Sequence, residues 1–172
     1  AEPSITEVIL SGGDPLTLSD RKLADLARGL AEIGHVRRLR IHSRLPVVLP
    51  ERVDEHLLGW LTGTRLTPVM VIHANHPAEL DDTVAAALQR LRHHGVTLLN
   101  QAVLLRGVND QADTLVNLSE RLFELGVLPY YLHLLDPVAG AAHFEVPEPR
   151  AASLMRAIAA RLAGYLVPRL VR

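Results

Sequence analysis

The sequence predicts an α/β protein of parallel strands, a partial (β/α) barrel truncated at both ends. Three observations predict it. Apolar, β-branched runs recur at a steady interval, segments of helical period separate them, and nearly every run ends in a cluster of polar residues. The runs are residues 7–11, 37–43, 67–73, 96–105, 128–135 and a short 165–167. Helical periodicity covers 20–33, 51–61, 78–94, 110–125 and 149–163. Most of these segments end at a glycine suited to the left-handed position after a helix: Gly34, Gly63, Gly95, Gly126 and Gly164. Ser19 and Asn109 or Asp110 are capping candidates, and Pro50, Pro77 and Pro149 suit a first turn. Strand, helix, glycine and strand in repetition mean right-handed parallel crossovers. The competing architecture is a doubly wound open sheet. Even spacing and polar strand ends favour a barrel, whose sites lie at the C-terminal ends of its strands. A complete eight-unit barrel needs about 200 residues or more, so five units and a strand make a partial one. No linker-like segment divides the chain, and residues 1–172 are expected to form a single domain.

Composition narrows the function. The 172 residues carry a formal net charge of −1, and no basic stripe marks a nucleic-acid or acidic-membrane surface. No apolar run is long enough to span a bilayer and no signal peptide is visible. The absence of cysteine excludes disulfides and thiolate ligands from this chain and fits a cytoplasmic protein. Lys22 is the sole lysine.

Each polar cluster admits a plain reading and a functional one. Ser11-Gly12-Gly13-Asp14 could be a tight turn with Asp14 bonded to its own loop, or a backbone cradle that lets a ligand approach closely. His73 and His76 could share a metal only if the chain bends between them, because residues three apart on a strand face opposite ways. His73 as a hydrogen-bonding pocket wall is the alternative. His93 and His94 read as a solvated helix end. Asn100 and Gln101 interrupt an apolar strand, and a buried amide there is either a structural clamp or a ligand contact. Only one of the two can face the interior of a barrel. Asp136 follows an apolar strand and is expected where water is scarce, in need of a cation: a protein arginine or a substrate ammonium.

Taken together, the clusters resemble the radical-SAM lysine 2,3-aminomutases along nearly the whole chain. The resemblance is carried by Leu10-Ser-Gly-Gly-Asp-Pro-Leu16, Arg40-Ile-His-Ser-Arg-Leu-Pro-Val-Val48, His73-Ala-Asn-His-Pro77 and Leu99-Asn-Gln-Ala-Val-Leu-Leu-Arg-Gly-Val-Asn-Asp110. It continues in Pro129-Tyr-Tyr131 through Asp136, Gly140-Ala-Ala-His-Phe144 and Gly164-Tyr-Leu-Val-Pro168. Within the family, Arg40-Ile-His-Ser-Arg44, Leu98-Leu-Asn-Gln101 and Tyr131-Leu-His-Leu-Leu-Asp136 look like the branch that makes (R)-β-lysine for modification of elongation factor P. The free-lysine branch tends to have Gly at the place of His42 and Tyr at that of His133.

The resemblance implies a radical-SAM barrel and an isomerase that moves an amino group of lysine from C2 to C3. It implies S-adenosylmethionine, a 4Fe-4S cluster and pyridoxal phosphate as cofactors of the full-length family. Ser11, Gly12, Gly13 and Asp14 would contact the methionine part of S-adenosylmethionine. His73 and Gln101 would line its nucleoside or carboxylate side, and Asp136 would bind the ε-ammonium of lysine. Ser43 and Arg44 belong to a family motif but receive no partner from it. The family's three cluster cysteines and its pyridoxal-phosphate lysine have no counterpart here. The chain is therefore expected to be cut at both ends, to hold no metal, to contribute no catalytic residue and to be inactive alone. Lysine is the expected small-molecule partner, and a homo-oligomer is possible. Two other classes compete: a short non-catalytic relative that binds S-adenosylmethionine or a protein, and a metal-dependent barrel hydrolase using His73 and His76.

Overall fold

The computed structural model describes residues 2–172. Six strands lie in one sheet in chain order: β1 (Glu7–Leu10), β2 (Arg38–Ser43), β3 (Thr67–His73), β4 (Thr97–Val103), β5 (Leu128–His133) and β6 (Arg169–Val171). β1, β2 and β3 pair in parallel, as do β4, β5 and β6. A doubly wound sheet reverses its strand order at a switch point. This order never reverses, so the winding is that of a barrel, as the sequence predicts. The helices are α1 (Asp20–Ala31), α2 (Leu45–Val48), α3 (Glu55–Thr62), α4 (Asp82–His93), α5 (Ala112–Glu124) and α6 (Glu148–Ala159). Among the described residues no helix is long and apolar enough to cross a membrane.

The described residues pack as two compact units. One takes residues 2–72 with Asp82–Leu98. Its core joins Leu23 and Ala27 of α1, spaced one turn apart, to Leu57, Leu58 and Leu61 of α3, Leu88 and Leu91 of α4, and the strands. On β2 alternate residues Leu39, Ile41 and Ser43 are buried, whereas β3 is buried continuously from Val69 to Ile72, as a strand covered on both faces must be. Asp20, at the start of α1, accepts hydrogen bonds from Arg52 Nη2 at 2.6 Å and from the Trp60 indole at 2.7 Å. Burial pushes the Asp20 carboxyl up, but the Arg52 and Trp60 bonds and the Arg52 charge outweigh it and hold it below the ordinary value. Arg65 donates to the carbonyls of Ala31, Ile33 and Val36, tying together the end of α1 and the turn after it.

The other unit takes His73–Asp81 with Leu99–Arg172. Its core is built from Leu115, Leu118 and Leu122 of α5 and Ala151, Leu154 and Ile158 of α6, with Ala102, Leu104 and Leu132 beneath. β4 and β5 shift register between Asn100 and Gln101. Pro129, opposite Asn100, has no N–H to give a ladder, a place where bulges form.

Several expected elements move. Residues 165–167 fall mostly in a 3₁₀ turn, Gly164–Leu166, and the last strand forms later, at Arg169–Val171. The second helix is a 3₁₀ turn, Pro50–Arg52, followed by α3 with Asp54 as its cap. α5 starts at Ala112, so Asn109 is not its cap, and Ser19 stands before α1 without a capping bond from its side chain. Gly95 and Gly126 take the left-handed conformation, whereas Gly34, Gly63 and Gly164 do not.

Candidate functional site

In the first unit, β1 runs out at Leu10 into Ser11, Gly12 and Gly13, all exposed. Gly12 and Gly13 have φ of 82° and 53°, a region that costs L-residues roughly 1–2 kcal/mol. A Cβ at either would meet nothing within 4 Å, so glycine is required here by conformation, and the loop backbone is left open to approach. Asp14 then folds the chain into the turn Pro15–Thr17, its Oδ1 accepting from the Leu16 N–H at 3.0 Å. The same Oδ1 accepts from the Ser43 hydroxyl at 2.7 Å, and Oδ2 accepts from the Arg44 N–H at 2.8 Å. Ser43 is wholly buried at the end of β2 and in turn accepts from the Leu45 N–H at 3.0 Å. Asp14 therefore bonds both its own turn and the end of β2. Asp14 is thus a partner of Ser43 through its hydroxyl and of Arg44 through its main-chain N–H.

In the second unit, the amide pair of β4 divides as strand alternation demands. Asn100, 2% exposed, donates to the Ala74 carbonyl at 3.0 Å and accepts from the Ala74 N–H at 2.9 Å. It is the clamp. Gln101 is half-buried, with Nε2 at 2.9 Å from Nε2 of His73. His76 is engaged as a cap: Nδ1 accepts from the Ala78 N–H, while Glu79 Oε1 accepts from the His76 and Asn75 N–H groups. Among the described residues no three His, Asp or Glu side chains are grouped as metal ligands.

Two asparagines missed as site elements complete this cluster. Asn109 is fully buried, donates to the carbonyls of Asn75 and Val103 at 2.8 and 2.9 Å, and accepts from the Leu105 N–H at 2.7 Å. Asn75 accepts from the Val103 N–H at 2.8 Å. Their residue type carried a signal, but sequence spacing offered a helix cap as the simpler role for Asn109.

At the end of β5 the rings of Tyr130 and Tyr131 stack with centroids 3.7 Å apart, and the edge of His133 packs against Tyr131 at 5.7 Å. His133 Nε2 is buried without a hydrogen-bond partner. Burial pushes its pKa below the ordinary histidine value, with the Asp136 charge pulling the other way. Asp136 itself is exposed, which corrects the expectation of a dry carboxylate. The chain leaves the sheet after His133, and Asp136 lies in the following loop. It lines an open hollow of about 670 Å³ with Leu135, Val138, Ala142, Glu145 and Arg172.

Lys22 is exposed on α1, and His93 and His94 are exposed at the end of α4 as expected.

L-lysine 2,3-aminomutase of Haemophilus influenzae is 52% identical over 172 residues, all of this chain and 51% of the relative. The Escherichia coli L-lysine 2,3-aminomutase is also 52% identical over 172 residues, 50% of its length. That of Clostridium subterminale is 39% identical over 170 residues, 98% of this chain and 40% of the relative. The chain thus spans about half the length of the curated relatives it matches. No family model matches it. Among solved structures, a radical SAM methyltransferase from Sphaerobacter thermophilus superposes with a TM-score of 0.68 at 17% identity, over 97% of this chain and 51% of that one. A domain of a pyruvate-formate lyase-activating enzyme from Bacteroides vulgatus gives 0.65 at 13% identity, over 96% and 98%. The fold is that of the radical SAM enzymes.

Proposed function

We propose that this chain, similar along its whole length to the L-lysine 2,3-aminomutases, is the part of such an isomerase that holds S-adenosylmethionine and the distal end of lysine. The observation that carries the reading is the 52% identity across all 172 residues, loops included. Residues 1–172 act as one barrel domain in this reading. Ser11, Gly12, Gly13 and Asp14 meet the methionine part of S-adenosylmethionine, with Asp14 shaping the loop that presents the open backbone. His73 and Gln101 meet the nucleoside or carboxylate side, and Asp136 takes the ε-ammonium. Lysine is the substrate, no nucleic acid or membrane is bound, and the setting is cytoplasmic.

The residues present do not fit the family's other two groups. A 4Fe-4S cluster needs thiolates, and there is no cysteine in the chain. Pyridoxal phosphate needs a lysine in a pocket, and Lys22 is exposed on a helix. The chain alone is accordingly inactive and binds S-adenosylmethionine weakly.

The (R)-β-lysine branch, serving elongation factor P, is the finer reading. Arg40-Ile-His-Ser-Arg44, Leu98-Leu-Asn-Gln101 and Tyr131 through Asp136, with His42 and His133 within them, are the residues that support it.

Replacing the corresponding half of the E. coli enzyme with residues 1–172 tests the proposal. The hybrid should convert L-lysine to β-lysine, and Gln101→Ala and Gly13→Ala should raise KM for S-adenosylmethionine. A folded hybrid without activity would sink it. Micromolar binding of S-adenosylmethionine by the isolated chain, together with an inactive hybrid, would favour the non-catalytic reading. The configuration of the β-lysine that the hybrid releases addresses the branch: an (R) product is expected, and an (S) product overturns it.

A further inference from the structure

We infer that Asn75, Asn100 and Asn109 form a lock whose function is to position the His73–Gln101 pair. The backbone ladder cannot do this alone. β4 continues its ladder past Val103, where the Leu104 N–H donates to the His133 carbonyl, but past the end of β3 the N–H and carbonyl of Ala74 and the carbonyl of Asn75 meet side-chain amides, and strand ends open locally with small free energies. The asparagine amides extend the hold beyond the end of β3. Asn100, next to Gln101, grips both the N–H and the carbonyl of Ala74, next to His73. A grip on both groups of one peptide residue resists sliding along the strand and rotation about it. Asn109 extends the hold outward by bonding the carbonyls of Asn75 and Val103 together through one Nδ2, with its Oδ1 on the Leu105 N–H. Asn75 returns a bond to the Val103 N–H. The network is dry at its centre, where Asn100, Asn109 and Ala74 are all nearly inaccessible, so its bonds resist exchange with water.

The three positions make different chemical demands. Asn100 and Asn109 must both donate and accept, which an amide does and a carboxylate does not. The bond from Val103 asks only an acceptor of Asn75, so a carboxylate can serve there. A lock therefore predicts a pattern: Asn75→Asp keeps it, Asn75→Ala loosens it, and Asn100→Asp and Asn109→Asp break it. The pair it serves is sensitive because its 2.9 Å contact holds only over a narrow range of distance.

The inference rests on the reading that His73 and Gln101 touch S-adenosylmethionine only in its kinetic arm. The spectroscopic arm uses the 172-residue chain and the ¹⁵N resonances of the His73 imidazole. Asn75→Asp should leave them at the parent positions, while Asn75→Ala, Asn100→Asp and Asn109→Asp should move Nε2 away from its hydrogen-bonded value. In the E. coli hybrid the same three variants should raise KM for S-adenosylmethionine by about tenfold with kcat little changed, and Asn75→Asp should not. If the buried variants do not fold, the Asn75→Ala and Asn75→Asp pair decides alone. A lowered melting temperature with His73 resonances and KM unmoved overturns the lock and leaves the asparagines purely structural. Should Gln101→Ala leave KM for S-adenosylmethionine unchanged, the ligand reading fails while the resonances still decide the lock.

Discussion

Asp14 shows how one carboxylate can organise a loop. Its two oxygens accept from the Leu16 and Arg44 N–H groups and the Ser43 hydroxyl. An amide in its place must turn a donor toward one of these donors. Asn at position 14 should therefore lower stability by about 1–3 kcal/mol in urea unfolding, the usual cost of an unmet buried group. No loss would mean that the turn forms without it. His133 makes a second residue-scale prediction. The folded chain resists protonating this imidazole because burial disfavours the cation, and Asp136 only partly offsets that. The unfolded chain takes up the proton near the ordinary value of about 6.5. Stability from His133 is then full above that pH and falls on acidification toward the lower folded value. NMR titration should place His133 below ordinary histidines, and Asp136→Asn should move it lower still. A His133 midpoint at or above the ordinary value would contradict the geometry.

Among the elements, α1 is held at both ends by side chains remote in sequence. Asp20 at its start is held by Arg52 and Trp60, and Arg65 closes the carbonyls at its end. Trp60 is the sole tryptophan and so reports on this corner. Asp20→Ala should strand the indole N–H, leave Arg52 with only the Leu16 carbonyl and Asp54, change Trp60 emission in the folded state, and cost about 1–3 kcal/mol. Unchanged emission and stability would show the corner to be held by apolar packing alone. Lysine at position 65 should not replace arginine, since one ammonium cannot reproduce a planar fork spread over three carbonyls.

For the whole molecule, the order of the sheet leaves β1 at one end, with Ile9 on it and Ile5 just before it exposed. An apolar strand with open backbone groups is a template for association. The 172-residue chain should form dimers or soluble aggregates in light scattering, and Ile9→Lys should shift it toward monomer. A clean monomer at high concentration would show that this edge is protected in solution.

The sequence by itself determined the winding of strands and helices, because hydrophobic period and helix-stopping residues are local properties written along the chain. The polar strand ends were equally legible, and so was the resemblance their motifs carry. It could not determine which polar residues serve each other. Asn100 and Gln101 are adjacent in sequence, and only the facing of β4 made one the clamp on Ala74 and the other the partner of His73. Asn109 had the look of a helix cap until the fold brought the Asn75 carbonyl to it across 34 positions. Asp136 followed an apolar strand, yet the strand ended at His133 and the loop carried the carboxylate into water. The reason is common to all three. A hydrogen bond is decided by distances of a few tenths of an ångström between atoms far apart in sequence, and only tertiary structure fixes those.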